Sequence, residues 1–76
     1  MDSRISARAL SAALGGWRTR EPVYEALADG IRLLCLDNRI APRTALPAER
    51  ELAAALHVSR STVAAAYRSL RESAHI

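Results

Sequence analysis

The sequence predicts an all-α domain built round a helix-turn-helix, and three observations carry that prediction. Apolar residues recur at helical spacing along most of the chain: Val23, Leu27, Ile31 and Leu34, then Leu52 and Leu56, then Val63, Tyr67 and Leu70. The breaks between these runs fall on residues that stop or start helices: Gly15-Gly16, Pro22 and Pro47. Only His57-Val58-Ser59 separates the last two runs, and two short helices joined by so tight a turn form a helix-turn-helix.

Four helical segments follow. Ser3 or Ser6 caps a first helix that runs to about Leu14, with Ile5, Leu10 and Leu14 as its apolar residues. Gly15-Gly16 ends it, and residues 17–20 form a connector, so residues 1–20 read as an N-terminal helix with its link. Pro22 is expected at the first position of the second helix, because its fixed φ suits that place. Val23, Leu27, Ile31 and Leu34 make that helix's buried stripe, while Leu33 and Leu36 fall outside it and are candidates for contact with something beyond the domain. Residues 37–45, with Asn38, Pro42 and Arg43, show no periodicity and read as a loop ending in a very short strand near Thr44 to Leu46. Pro47 starts a third helix over Ala48 to about Leu56, with Leu52, Ala53 and Leu56 inward. Ser59 caps the fourth, whose buried stripe is Val63, Tyr67 and Leu70.

In a helix-turn-helix the second helix, here residues 59–72, lies in the DNA major groove. At ~100° per residue, Val63, Ala66, Tyr67 and Leu70 share one side and Ser61, Ala64, Ala65 and Arg68 the other. The outer face is small at its start, allowing close approach to base edges and an alanine contact with a thymine methyl, and basic further on. Ser59, Ser61 and Thr62 place hydroxyls at the helix start, where free amides and the helix dipole favour a phosphate. Arg60 and Arg71 flank this face within reach of phosphates, and Arg50, at the N-terminus of the preceding helix, is placed to clamp a second phosphate with its planar guanidinium fork. Tyr67 reads as core, Trp17 as an anchor for the first helix, and Cys35 as a small buried apolar residue.

Bulk properties narrow the classes. Seventy-six residues make one domain, and a chain of this size buries only roughly 60% of the surface it exposes when unfolded. Eleven basic residues, all arginine, stand against eight acidic ones, a balance of +3 compatible with nucleic-acid binding. One cysteine makes no intrachain disulfide and fits a reducing compartment. The longest strongly apolar stretch, Leu33 to Leu36, is too short for a signal peptide or a membrane span, so the cytoplasm is the expected location. His57 and His75 would stand about 27 Å apart along one helix at ~1.5 Å per residue. No spacing suits a catalytic triad or a metal site, and an enzyme is not expected.

Residues Leu46-Pro47-Ala48-Glu49-Arg50-Glu51-Leu52-Ala53 and Val58-Ser59-Arg60-Ser61-Thr62-Val63 resemble the GntR family of bacterial transcription regulators. Upstream, Pro22-Val23-Tyr24, Leu27-Ala28 and Ile31-Arg32 resemble that family's first helix, so the likeness covers residues 21–76. It implies a winged helix-turn-helix: a three-helix core, here with an added N-terminal helix, that binds double-stranded operator DNA as a homodimer in the full-length protein. It also implies DNA contacts at Arg50, Ser59, Arg60, Ser61 and Thr62. Ala64 stands where relatives often carry a larger polar residue, which implies a lost base contact or an apolar one. Ala66-Tyr67 and the extension ending Gly15-Gly16-Trp17 resemble the MocR branch, which fuses this head to an aminotransferase-like domain holding pyridoxal phosphate. No residue of this chain is expected to bind that cofactor. His57 and Ala74 stand where the family usually has glycine. The chain also stops at Ile76, where the family's β-hairpin wing begins, so the wing is expected to be truncated. That truncation, with Leu33 and Leu36, favours the alternative of a protein-interaction or dimerisation module that kept the fold and lost DNA binding.

Overall fold

Small apolar side chains and short loops produce four helices in a computed structural model that describes residues 3–41 and 43–73. They are α1 (Ala7–Leu14), α2 (Val23–Leu36), α3 (Glu49–Leu56) and α4 (Arg60–Glu72). Pro42, Ala74, His75 and Ile76, on which part of the sequence reading falls, lie outside the described residues.

Each boundary has a local cause. The Ser6 hydroxyl accepts from the Ala9 amide and starts α1, while Ser3 is left for another task. Gly15, at φ 54°, ends it. Pro22 sits one residue earlier than expected, as the N-cap of α2 and not its first helical residue, with extended backbone at ψ 152°. Asn38 closes α2 in the left-handed region at φ 60°, which a short polar side chain tolerates. The chain then folds back, the amides of Arg39 and Ile40 both donating to the Leu34 carbonyl. That reversal buries Ile40, which its aperiodic surroundings concealed. α3 likewise begins at Glu49 and not Ala48; Ala48 is its N-cap and supplies no side-chain hydrogen bond.

The strand expected near Thr44 to Leu46 is replaced by one parallel bridge, between Arg4 and Ala45. Ala45 donates its amide to the Ser3 carbonyl (2.8 Å) and accepts from the Ile5 amide (3.1 Å). The hydroxyls of Ser3 and Thr44 meet at 3.0 Å. No longer strand forms among the described residues, so the fold is all-α.

The helices close into a ring in which each packs on two others. α4 lies against α2 and α3, and α1 against α3 and, more lightly, α2. Leu10, Leu27, Ile31, Leu52, Val63 and Leu70 are fully buried at the centre. Ile5, Leu14, Leu56, Val58 and Trp17 pack half-buried against them. Gly30 lets α1 approach α2 closely, since a Cβ there would come within 3.0 Å of the Leu14 side chain and 3.4 Å of Trp17 Cβ. Cys35 is half-buried, not fully buried as its type suggested, and desolvation pushes its thiol pKa up. Leu33 and Leu36 stand 59% and 65% exposed, outside the stripe as expected.

Tyr67 is the buried polar link. Its hydroxyl donates to the Pro47 carbonyl at 2.7 Å, joining α4 to the residue before the α3 N-cap. Burial, with the Glu49 carboxylate adding to it, pushes the phenol pKa up to about 12.

Two predictions follow from these local structures. His57 ends α3 in the left-handed conformation at φ 60°, ψ 43°, with its side chain exposed. Replacing it with glycine removes the Cβ penalty and stabilises the domain by about 1 kcal/mol, as a thermal melt would read. Tyr67→Phe leaves the buried Pro47 carbonyl without its donor and destabilises by about 1–3 kcal/mol. The folded phenol pKa lies above the usual ~10, so its contribution is whole below pH ~10 and is lost as pH rises toward 12, a loss on the order of 2 kcal/mol. Denaturant melts at both ends of that window should show the loss in the wild type and a smaller one in Tyr67→Phe.

Candidate nucleic-acid interface

The turn between α3 and α4 fixes which side chains reach solvent together. His57 reverses the chain, its amide bonding back to the Ala54 carbonyl (3.4 Å) while the Val58 amide bonds to that of Ala53 (3.1 Å). Val58 drops against the core, and Ser59 emerges in extended conformation at ψ 153°. The Ser59 hydroxyl accepts from the Thr62 amide at 3.2 Å and caps α4. It also meets the hydroxyls of Thr62 (2.8 Å) and Ser61 (3.1 Å), so the three form one cluster on the first turn. By helix geometry the first amides of α4, at Arg60 and Ser61, have no intrahelical acceptor.

Four exposed residues stand on or beside this turn: Ser59, Arg60, Ser61 and, two turns on, Arg68. Thr62 and Ala64 are half-buried, so Ala64 offers solvent only part of its methyl surface. Arg60 is loosely engaged. Its Nε lies 4.0 Å from Glu49 Oε1, and its side chain is 71% exposed. An exposed pair at that separation is worth ~0–1 kcal/mol, so a phosphate could displace the carboxylate. Arg50 is exposed on the first turn of α3, and neither it nor Arg68 forms an ion pair among the described residues.

Arg68 has neighbours that helical periodicity could not disclose. It lines an open groove between α4 and the start of α2, with Ala65, Ser69 and Glu72 on one wall and Tyr24 and Glu25 on the other. The outer face of α4 is therefore bounded on the α2 side by one carboxylate, Glu25, and the phenol of Tyr24, with Glu72 of α4 itself on the near wall. Glu25 is partly neutralised by Arg20, 3.4 Å away. Arg71, at the last turn of α4, is exposed.

The structure thus brings Ser59, Arg60, Ser61 and Thr62 together at one end of α4, with Glu49 of α3 beside them through Arg60. It sets Arg68 further along, toward α2. Among the described residues no three His, Cys, Asp or Glu side chains gather as a metal site would need. No helix there is long and apolar enough to cross a membrane.

Residues 23–76 match the family described as bacterial regulatory proteins, gntR family. That span holds α2, α3 and α4 and leaves α1 and its arm outside. No curated protein and no solved structure gives a match.

Proposed function

The chain belongs to the gntR family of bacterial regulatory proteins, and from that premise we propose that it binds double-stranded operator DNA in a sequence-specific way, with α4 in the major groove. The observation that carries this reading is the left-handed turn at His57 followed by the Ser59 cap. Together they present the hydroxyl cluster, Arg60 and Arg68 on the solvent side of a helix whose other side is fully buried.

The roles divide by position. Arg50 and Arg60 grip phosphates on either side of the turn, and the hydroxyls of Ser59, Ser61 and Thr62 sit where backbone oxygens approach the α4 amides. Ser61, Ala64 and Arg68 face base edges, Ala64 through its methyl group. Binding as a homodimer in the full-length protein, over two half-sites, belongs to the same proposal and rests on family membership. The MocR branch, with pyridoxal phosphate in a fused domain, rests only on Ala66-Tyr67 and Gly15-Gly16-Trp17. Here Ala66 and Tyr67 are core residues, and Gly15 ends α1.

A second reading draws on the exposure of Leu33 and Leu36 on α2: the domain serves protein association without binding DNA. Salt separates the two, because displacement of counterions from a duplex gives a steep fall of affinity with salt.

The experiment is a binding series on a selected operator with two variants. Arg50→Ala should weaken binding to all sequences alike and lower the slope of log K against log salt by about 1. Arg68→Ala should cost roughly 1–3 kcal/mol on the cognate site and relax preference at one base pair. Altered base preference in Arg50→Ala, with uniform weakening in Arg68→Ala, would reverse the assignment of the two faces.

A further inference from the structure

Arg43 holds a backbone conformation that disfavours any residue with a Cβ, at φ 66°. Its side chain is exposed and forms no ion pair or hydrogen bond among the described residues, so no contact of its own explains why arginine stands there. The residues that follow it are held from outside the loop. Thr44 is tied to Ser3 through their hydroxyls, and both backbone groups of Ala45 are taken by the arm at Ser3 and Ile5. The same arm carries Arg4, the bridge partner of Ala45, exposed and likewise without a carboxylate partner. Two arginines from opposite parts of the chain are thus placed at one bridge, a few residues before Arg50.

The helix ring says where that bridge stands. α1, which continues the arm, packs on α3 and does not touch α4. Arm and loop therefore lie beside α3, and the loop runs on through Pro47, whose carbonyl Tyr67 of α4 holds, into the first turn of α3, where Arg50 is exposed. When the second helix of a helix-turn-helix enters the major groove, the first crosses the backbone beside it. The start of α3, and the loop that leads into it, then stand beside that backbone. The carboxylates of α3 are Glu49, which is engaged with Arg60, and Glu51 on the first turn.

We propose that Arg4 and Arg43, joined by the arm–loop bridge, form a second phosphate grip on duplex DNA, outside the helix-turn-helix and outside the span that matches the family at Arg4. This rests on the DNA-binding reading above. Guanidinium forks suit phosphate oxygens, and such contacts position the protein without reading sequence.

The test uses the whole 76-residue chain and a mixed-sequence duplex of about three helical turns, with fluorescence anisotropy read across a salt series. Arg43→Gly should raise the melting temperature, since glycine enters the left-handed region freely. It should also bind roughly three- to tenfold more weakly, with the salt slope lowered by about 1. A loss of binding in a more stable protein cannot come from unfolding. Arg4→Ala should lose a similar amount, because the bridge is made by backbone groups that the substitution leaves in place. Arg43→Lys should keep the slope. Wild-type affinity and slope in both Arg43→Gly and Arg4→Ala, beside a weakened Arg60→Ala, would overturn the second grip and leave the DNA-binding reading standing. Absence of duplex binding by the wild type would overturn that reading and the grip together.

Discussion

The hydrogen bond from the Tyr67 hydroxyl to the Pro47 carbonyl joins the middle of α4 to the start of α3, and among the described residues it is the one fully buried side-chain hydrogen bond. Around it the core is leucine, isoleucine, valine and alanine, with no buried charged residue among the described residues. Apolar burial holds helices together but is non-directional, and it penalises a small slide of one helix on another only through packing. A buried hydroxyl with one acceptor within reach is less forgiving, because a shifted helix leaves two polar groups without partners. The angle between α3 and α4, and hence the placing of Ser59 to Arg68 relative to Arg50, depends on that bond more than on any single methyl contact.

Among the described residues, backbone strain falls on three that are not glycine, Asn38, Arg43 and His57, all at positive φ. Their positions share a logic. Each lies where the chain must turn sharply to bring a helix back onto a core too small to tolerate long loops. Asn38 serves cheaply. His57 ends α3 so that only two further residues precede α4, which keeps the two helices in contact. Arg43 is held by the arm that bridges to Ala45. Without that bridge, the loop from Ile40 to Leu46 would have few backbone contacts to fix it. α1 and its arm are therefore integral to the shape of the loop that leads into α3, although they lie outside the span that matches the family.

What was legible in the sequence is what local chemistry encodes. Val63, Tyr67 and Leu70 are buried because a helix of that periodicity has only one apolar side, and Ser59 caps because its hydroxyl can reach an amide three residues on. The helix-turn-helix and its outward face could be read in that way. The rest depends on contacts distant in sequence. Ile40 sits in an aperiodic loop and is buried only because the chain doubles back on Leu34. Ser3 and Thr44 are 41 positions apart and follow no pattern that would pair them. The residues Thr44 to Leu46 do pair as a strand would, but only at Ala45, and the partner is the N-terminal arm, far away in sequence. Proline placed both helix starts one residue early, because Pro22 is itself a cap and Pro47 stands before one. In the candidate site, Arg60 and Arg68 were legible as outward residues. Their neighbours Glu49, Glu25 and Tyr24 were not, since each belongs to another helix.

The distribution of charge argues further than its sum. A balance of +3 would be unremarkable if every carboxylate faced a guanidinium. Among the described residues, however, only Arg20, Arg32 and Arg60 of the 11 arginines reach a carboxylate. Arg20 and Arg32 both serve Asp29, and together they hold that carboxyl's pKa below its usual range, Arg20 contributing most. This network ties the connector to α2 on the side where Leu33 and Leu36 are exposed. The arginines of the arm, the 43–45 loop, α3 and the outer face of α4 have no such neutralisation beyond the loose contact of Arg60. Exposed like charges left uncompensated destabilise a small fold through mutual repulsion, and a polyanion relieves that repulsion on binding. The same segregation separates the two surfaces: the apolar residues of α2 lie beside a charge-balanced cluster, whereas among the described residues Arg4, Arg43, Arg50 and Arg68 form no ion pair and Arg60 only a loose one, so a phosphate backbone would supply the counter-charge they lack.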